Sequence, residues 1–322
     1  MPIISMMKIL FFTDTHIKSR NPRSRIDDYE DSIYKKIEEI REISIKKNVD
    51  MILHGGDLFD KADVGIKTAS KFGKLFQTFP EKIHIISGNH DIYGYNPNSI
   101  DRAMMGLYNS LDVLELIEED KPKIMEKDGL RVQISGQPYT HDIDSSDKSH
   151  YYPKRLDNID YHILMIHSFL LYKKFIEQIE YTLIDQIMDT DCDIVLSGHY
   201  HTGFKTVKVN EKYFANPGSI ARMTNTESER KRIPKVLIIE LTKDDIKIEE
   251  IFLKSAKNSS EIFSNDKLNP YSIKNKSLLD IKERLSKLSS NPIIDINNNL
   301  KSIGREMKID EEIIDEAIRR IE

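Results

Sequence analysis

The chain has 322 residues, 39% of them hydrophobic and 31% charged, a composition that supports one substantial core with a small second module and gives little reason to expect disorder. Its 48 Lys and Arg against 53 Asp and Glu leave a formal net charge of -5, which excludes a uniformly basic nucleic-acid coat while leaving room for a local basic face. One cysteine, Cys192, excludes a disulfide framework, and no apolar run reaches the roughly 18 residues of a membrane span, so a cytoplasmic protein without a membrane anchor is expected.

In chain order, the opening residues MPIISMM are too short for a signal peptide and lead into a first strand, Lys8 to Thr13, ending in the polar cluster Asp14-Thr15-His16. Asp27 to Lys47 places Ile33, Ile37 and Ile40 between charged residues, the pattern of an amphipathic helix. Met51 to Leu53 is a second strand, running into His54-Gly55-Gly56-Asp57; a helix over Val64 to Phe79 leads to the strand Ile83 to Ile86 and the loop Ser87-Gly88-Asn89-His90-Asp91. Three short strands thus end in polar loops, which is layered α/β organisation with a site at one sheet edge.

Further along, a helix is predicted over Ile100 to Tyr108, and strands over Val113 to Leu116 and Leu130 to Ile134. Tyr139 to Arg155 lacks an apolar period and reads as an exposed loop. Tyr161 to Ile166 ends at His167, Ile194 to Leu196 ends at Ser197-Gly198-His199-Tyr200-His201, and Cys192 reads as a buried strand-edge residue. Phe204 to Val209 is strand-like, and Pro234 to Leu241 with Ile246 to Leu253 could pair to finish a second sheet. The expected fold class is α/β, a two-sheet sandwich flanked by helices. Residues 1-256 form its catalytic domain, and 257-322 supply a polar linker and a helical C-terminal extension over Ser277 to Leu288 and Asp310 to Ile321.

His16, His90, His167, His199 and His201 all fall at or just after strand ends, together with Asp14, Asp57 and Asn89. Residues two apart in an extended segment point to one side, so Asp14/His16 and His199/His201 can each converge on a point. Imidazole mixed with carboxylate suits Mn²⁺, Fe²⁺, Zn²⁺, Ni²⁺ or Co²⁺ better than an all-oxygen cage does. Asp14, His16, Asp57, Asn89, His167, His199 and His201 are too many donors for one tetrahedral zinc and suit two cations sharing a carboxylate. Asp57 is the natural bridge, since Gly55 and Gly56 permit close backbone approach. His90 is assigned separately, as a donor to the leaving oxygen; Asp91 either orients it or only stabilises its own loop. His54 is placed outside the direct ligands, and His84, His141, His150 and His162 are structural.

The motifs Asp14-x-His16, Gly56-Asp57, Gly88-Asn89-His90-Asp91, His167 and Gly198-His199-x-His201 closely resemble those of the calcineurin-like metallophosphoesterase superfamily. That resemblance implies one metal held by Asp14, His16, Asp57 and His201, a second held by Asp57, Asn89, His167 and His199, and His90 as the catalytic histidine. Within the superfamily, Gly56 to Asp63, Gly94 to Asn96 and Asn216 to Ser219 look most like the SbcD-type DNA repair nucleases, including phage-encoded relatives. This implies a manganese-dependent exo- and endonuclease with DNA and an SbcC-type ATPase as partners; the C-terminal helices either dock that ATPase, replace part of a DNA-capping domain or pack on the catalytic domain, and a homodimer is a separate expectation. Arg20, Arg23, Arg25, Lys148, Lys154, Arg155, Arg222 and the Arg230 to Lys235 cluster are candidates for a phosphate-contacting rim, with a solvated charged surface as the alternative. The leading expectation is hydrolysis of DNA phosphodiesters by metal-activated water. The alternatives are a phosphatase or phosphodiesterase for small nucleotides or cyclic phosphates, and a non-catalytic scaffold.

Overall fold

The computed structural model describes residues 6–175 and 179–264. The chain divides into two units, Met1–Ser264 and Asn265–Glu322, and the described residues all belong to the first. The helices expected at 277–288 and 310–321 lie outside the described residues.

Two six-stranded mixed sheets make the sandwich. The first contains β1 (Met7–Phe12), β2 (Met51–His54), β3 (Ile83–Ile85) and β4 (Glu115–Leu116), all parallel. The second contains β5 (Lys123–Lys127), β6 (Leu130–Gln137) and β7 (Tyr161–Ile166). After the short pair β8 (Leu170–Leu171) and β9 (Thr182–Leu183), it continues with β10 (Ile194–Ser197), β11 (Phe204–Val209) and β12 (Lys212–Asn216). The last two strands, β13 (Lys235–Leu241) and β14 (Ile246–Phe252), pair with each other as expected, yet they join the first sheet beside β1. The orders are β14-β13-β1-β2-β3-β4 and β11-β12-β10-β7-β6-β5. The expected completion of a second sheet by β13 and β14 is thereby corrected: the second sheet is closed at that end by β11 and β12, of which β12 has too short an apolar run to read as a strand alone.

Burial on both faces explains the near-continuous apolar runs of the central strands. Along β1, Met7, Ile9 and Phe11 face the second sheet and meet Val132, Ile134, Ile163 and Met165, whereas Leu10 and Phe12 face the helices. The helical layer includes α1 (Tyr29–Lys47), which buries Ile33, Ile37 and Ile40. Asp28 caps this helix by accepting from the Asp31 N–H at 2.9 Å, acidic Glu30 and Asp31 sit in its first turn, and Asn48 ends it in the left-handed conformation. The shorter α2 (Ile66–Phe76) packs Phe72 and Phe76 on the same layer, as does α3 (Met104–Ser110) with Met105 and Tyr108. Among the described residues the remaining α-helices are the single turns α4 (Glu227–Lys231) and α5 (Ser259–Ile262).

Two other expectations change. The exposed loop after Tyr139 carries a 3-10 turn at Ser149–Tyr151, with Tyr151 fully buried and its hydroxyl 2.6 Å from Ser168 Oγ. The polar stretch after Lys257 begins packed, because Ile262 and Phe263 are buried and Phe263 bridges to Arg25. Isolated apolar residues in a polar segment show no periodicity, and their burial is decided by what lies opposite. Among the described residues, no helix is long and apolar enough to cross a membrane.

Candidate metal centre

The parallel strands of both sheets deliver their carboxyl ends to one place, the position at which α/β sheets characteristically build sites. From β1 come Asp14 and His16, from β2 Asp57, from β3 Asn89 and His90, from β7 His167, and from β10 His199 and His201. Asp14, His16, Asp57 and His167 are buried. Asp14, His16, Asp57 and His199 all have left-handed backbones, with φ of 54, 42, 54 and 69°. Non-glycine residues adopt that region reluctantly, and surrounding hydrogen bonds hold it here: the Asp14 N–H donates to Gly56 O at 3.1 Å and the His16 N–H to Asp57 O at 3.0 Å.

Two groups of donors share one carboxylate. Asp57 Oδ2 lies 3.6 Å from His16 Nε2 and 3.4 Å from His167 Nε2. On the first side, His201 Nε2 is 3.5 Å from Asp14 Oδ1 and 2.9 Å from His16 Nε2. On the second, His167 Nε2 lies 3.2 Å from Asn89 Oδ1, and the His199 and His167 rings are 5.0 Å apart. The sets Asp14, His16, Asp57, His201 and Asp57, His167, His199 can each offer ligand atoms to one metal ion. Asp57 is anchored through its other oxygen, which accepts from the His90 N–H at 2.9 Å.

Hydrogen bonds behind the donors orient them. His167 Nδ1 meets the Gly55 carbonyl at 2.7 Å, which fixes a proton on that nitrogen and leaves Nε2 turned toward Asp57 and Asn89. Thr13 Oγ1 donates to Asp14 Oδ2 at 2.6 Å, and the His199 N–H reaches both Asp14 oxygens at 3.2 Å. Gly88 is indispensable to this packing: a Cβ there would stand 2.1 Å from Asp57 Oδ1. Gly56, at φ +97°, would press a Cβ to 2.5 Å from His167 Nδ1, which supports the expectation that close backbone approach requires glycine beside Asp57.

The electrostatics call for cations. Burial alone would raise the Asp14 and Asp57 carboxyl groups, but neighbouring histidines outweigh it and hold both below the usual carboxylate range. Burial would lower His167, yet Asp57 raises it to about 9; His16 is likewise raised, by Asp14 and Asp57 against burial. The carboxylates therefore favour positive charge at two places, beside His16 and beside His167. Imidazole nitrogens 2.9 Å apart beside carboxylates are a donor set that divalent cations fit.

The structure corrects the expected role of Asp91 in favour of the alternative. Its carboxylate accepts from three backbone N–H groups, Gly88 at 2.9 Å, Phe59 at 3.0 Å and Leu58 at 3.3 Å. His90 Nδ1 instead meets the backbone carbonyl of Asp60 at 2.8 Å. Asp91 thus ties the Asn89-His90 loop to the Asp57 loop, and burial together with the nearby Asp57 charge pushes its carboxyl up to about 7. Asp60 is the residue sequence reasoning missed: its carboxylate lies 3.9 Å from His16 Nδ1 and pairs with Lys18, and it groups with His16 and His90. Its place three residues after Asp57 was the available signal. His54 stays outside the direct contacts, with Nε2 3.3 Å from Thr15 Oγ1 and Nδ1 accepting from the Gly56 N–H.

Much of the expected basic rim lies inside the fold. Arg25 is buried and spans Asp27 and the Arg222 carbonyl; Arg222 is buried; Arg232 holds Glu229 and the Ala221 carbonyl. Buried Lys36 donates to Ile220 O at 2.9 Å. Arg25, Lys36 and Arg232 thereby brace the loop after Asn216, whose Ser219 Oγ donates to Asp14 O at 2.7 Å. Arg155 pairs with Asp193 and Lys235 with Glu250, whereas Arg20, Arg23 and Lys154 remain exposed.

Among known proteins, the DNA double-strand break repair protein Mre11 of Saccharolobus solfataricus is 26% identical over 144 residues, 44% of this chain and 35% of the relative. The chain thus matches about a third of that protein's length. A dimetal phosphatase from Danio rerio superposes with a TM-score of 0.50 at 9% identity, covering 76% of this chain and 95% of that one. Purple acid phosphatase PPD1 from yellow lupin gives 0.48 at 12% identity, covering 80% and 53%. At 9% identity the likeness to the Danio rerio protein bears on fold alone. The family described as calcineurin-like phosphoesterase matches residues 7–203, well over half of the chain and every strand end that builds the centre, and the protein belongs to that family.

Proposed function

We propose that the protein hydrolyses phosphodiester bonds in DNA at a pair of divalent cations, with Mn²⁺ as the working metal. The carrying observation is the Asp57 carboxylate set between His16 and His167, with Asp14 and His201 completing one donor group and Asn89 and His199 the other. The similarity to Mre11 over 144 residues supports DNA as the substrate. When bound, the cations would supply Lewis acidity toward phosphoryl oxygens and activate the attacking water.

The protein's own groups do the rest. Asp57, anchored by the His90 N–H, keeps the two donor groups in register. His167 keeps its Nε2 toward the centre because its Nδ1 is committed to Gly55 O. His90 is held by Asp60 O at Nδ1, so proton exchange with the departing sugar oxygen falls to Nε2. Gel assays on single- and double-stranded DNA in Mn²⁺, run beside nucleotide and nitrophenyl phosphate esters, test the proposal. Cleavage of DNA is expected; efficient turnover of small esters without DNA cleavage would assign the site to small phosphates, and a protein that takes up no metal from excess Mn²⁺ and is inert on both would support a scaffold.

A further inference from the structure

The two flanks of the centre differ in chemistry. Beside His16 and His90 the neighbours are charged: Asp60 lies 3.9 Å from His16 Nδ1 and pairs with Lys18. Beside His167 and His199 they are aromatic. The Tyr139 ring lies 5.9 Å from His199 and 6.3 Å from His167, and the Phe169 ring lies 5.8 Å from His199. Tyr95 adjoins this wall, its ring 6.0 Å from Tyr139 and inclined 52° to it, so that the two rings make a corner with one open face each. Tyr139 and Phe169 are half-buried and pack the histidine loops, which accounts for them structurally. Tyr95 has no such explanation: it is 50% exposed, and among the described residues its one ring contact is Tyr139. Two successive left-handed residues, Gly94 at φ 57° and Tyr95 at φ 58°, present it there. A tyrosine held in a disfavoured backbone conformation beside a site, with its face open, is arranged to receive something flat.

We infer that Tyr95 and Tyr139 form a stacking platform for an unpaired nucleobase next to the phosphate being cleaved, making single-stranded DNA the preferred substrate; this rests on the DNA phosphodiesterase reading above. Stacking on an aromatic face accepts any base, so the platform selects for a free base rather than for a sequence. In a duplex the base faces are occupied by their neighbours, and using the platform requires unstacking first.

The test uses the full chain in Mn²⁺ and two single-stranded octamers of equal charge, one of thymidines and one in which every base is replaced by an abasic tetrahydrofuran sugar. Wild type is expected to show a KM about tenfold lower for the thymidine strand, the scale of one stacked base. Tyr95→Ala should erase that preference by raising KM for the thymidine strand to that of the abasic one, and Tyr95→Phe should restore it, since only the ring face is required. Equal KM values for both strands in wild type, or a preference that survives Tyr95→Ala, would overturn the platform and leave DNA hydrolysis standing. Cleavage of neither strand, with nitrophenyl phosphate turned over, would remove the DNA reading and the platform together.

Discussion

Gly88→Ala is the smallest change expected to dismantle the centre. The added methyl carbon would lie 2.1 Å from Asp57 Oδ1, 2.5 Å from Asp57 N and 2.7 Å from Asp57 Cγ. Non-bonded carbon and oxygen need about 3 Å or more, so the carboxylate must retreat by roughly 1 Å. That retreat breaks the 2.9 Å bond from the His90 N–H and turns Oδ2 out of its place between His16 and His167. Overpacking of this kind costs about 1–3 kcal/mol of stability. A misplacement near 1 Å in reacting groups lowers turnover by on the order of 10²-fold, and lost metal would add to that. Metal content by mass spectrometry, turnover of bis(p-nitrophenyl) phosphate in Mn²⁺, and a thermal melt read the three effects separately. Gly65→Ala is the matched control, because its Cβ would meet only Ser19 Oγ, at 4.0 Å. A Gly88→Ala protein that binds two equivalents of metal and turns over within twofold of wild type would refute the packing argument.

Asp57→Asn should impair metal loading itself, since the shared carboxylate loses its charge; unchanged metal content would count against bridging. His90→Asn should keep its metals while turnover falls by about 10²-fold or more, read by the same two assays. Asp91→Ala leaves three N–H groups, of Leu58, Phe59 and Gly88, without their acceptor and should cost roughly 3 kcal/mol or more in urea unfolding; a loss below about 1 kcal/mol would argue against its loop-tying role. In metal-free protein His167 is raised from 6.5 to about 9, so the folded state holds a proton that the unfolded chain releases. Its stabilising effect is complete below about pH 6.5 and is lost as pH rises through about 9, and a Tm that falls across that window in chelator, but not with Mn²⁺, is the expected result.

The candidate donors were legible because each follows a short strand within a few residues of its end, and an apolar run ending in Asp-x-His or Gly-Asn-His survives in the sequence whatever the tertiary arrangement. The strands of both sheets that carry them were readable for the same reason: buried on two faces, they are continuous apolar runs. Helix α1 was readable from its 3.6-residue period and its Asp28 cap.

Pairing and orientation were not. Strands β13 and β14 announce each other but not their sheet, since strand order depends on which edge is free when the chain returns. Arg25, Arg222 and Arg232 look like surface cations in sequence. Only the fold shows Arg25 and Arg232 turned inward to carbonyls of the loop that supports Asp14, and Arg222 to those of Arg232 and Lys257. Asp91 follows His90 directly, which suggests contact, yet adjacent side chains diverge, and its oxygens find the amides of two loops instead. The sequence by itself determined which groups are present and at which strand ends they emerge. Tertiary structure alone decided that Asp57 stands between two histidines more than a hundred residues distant from each other, because distances of 3.4 and 3.6 Å are set by sheets packing together and not by spacing along the chain.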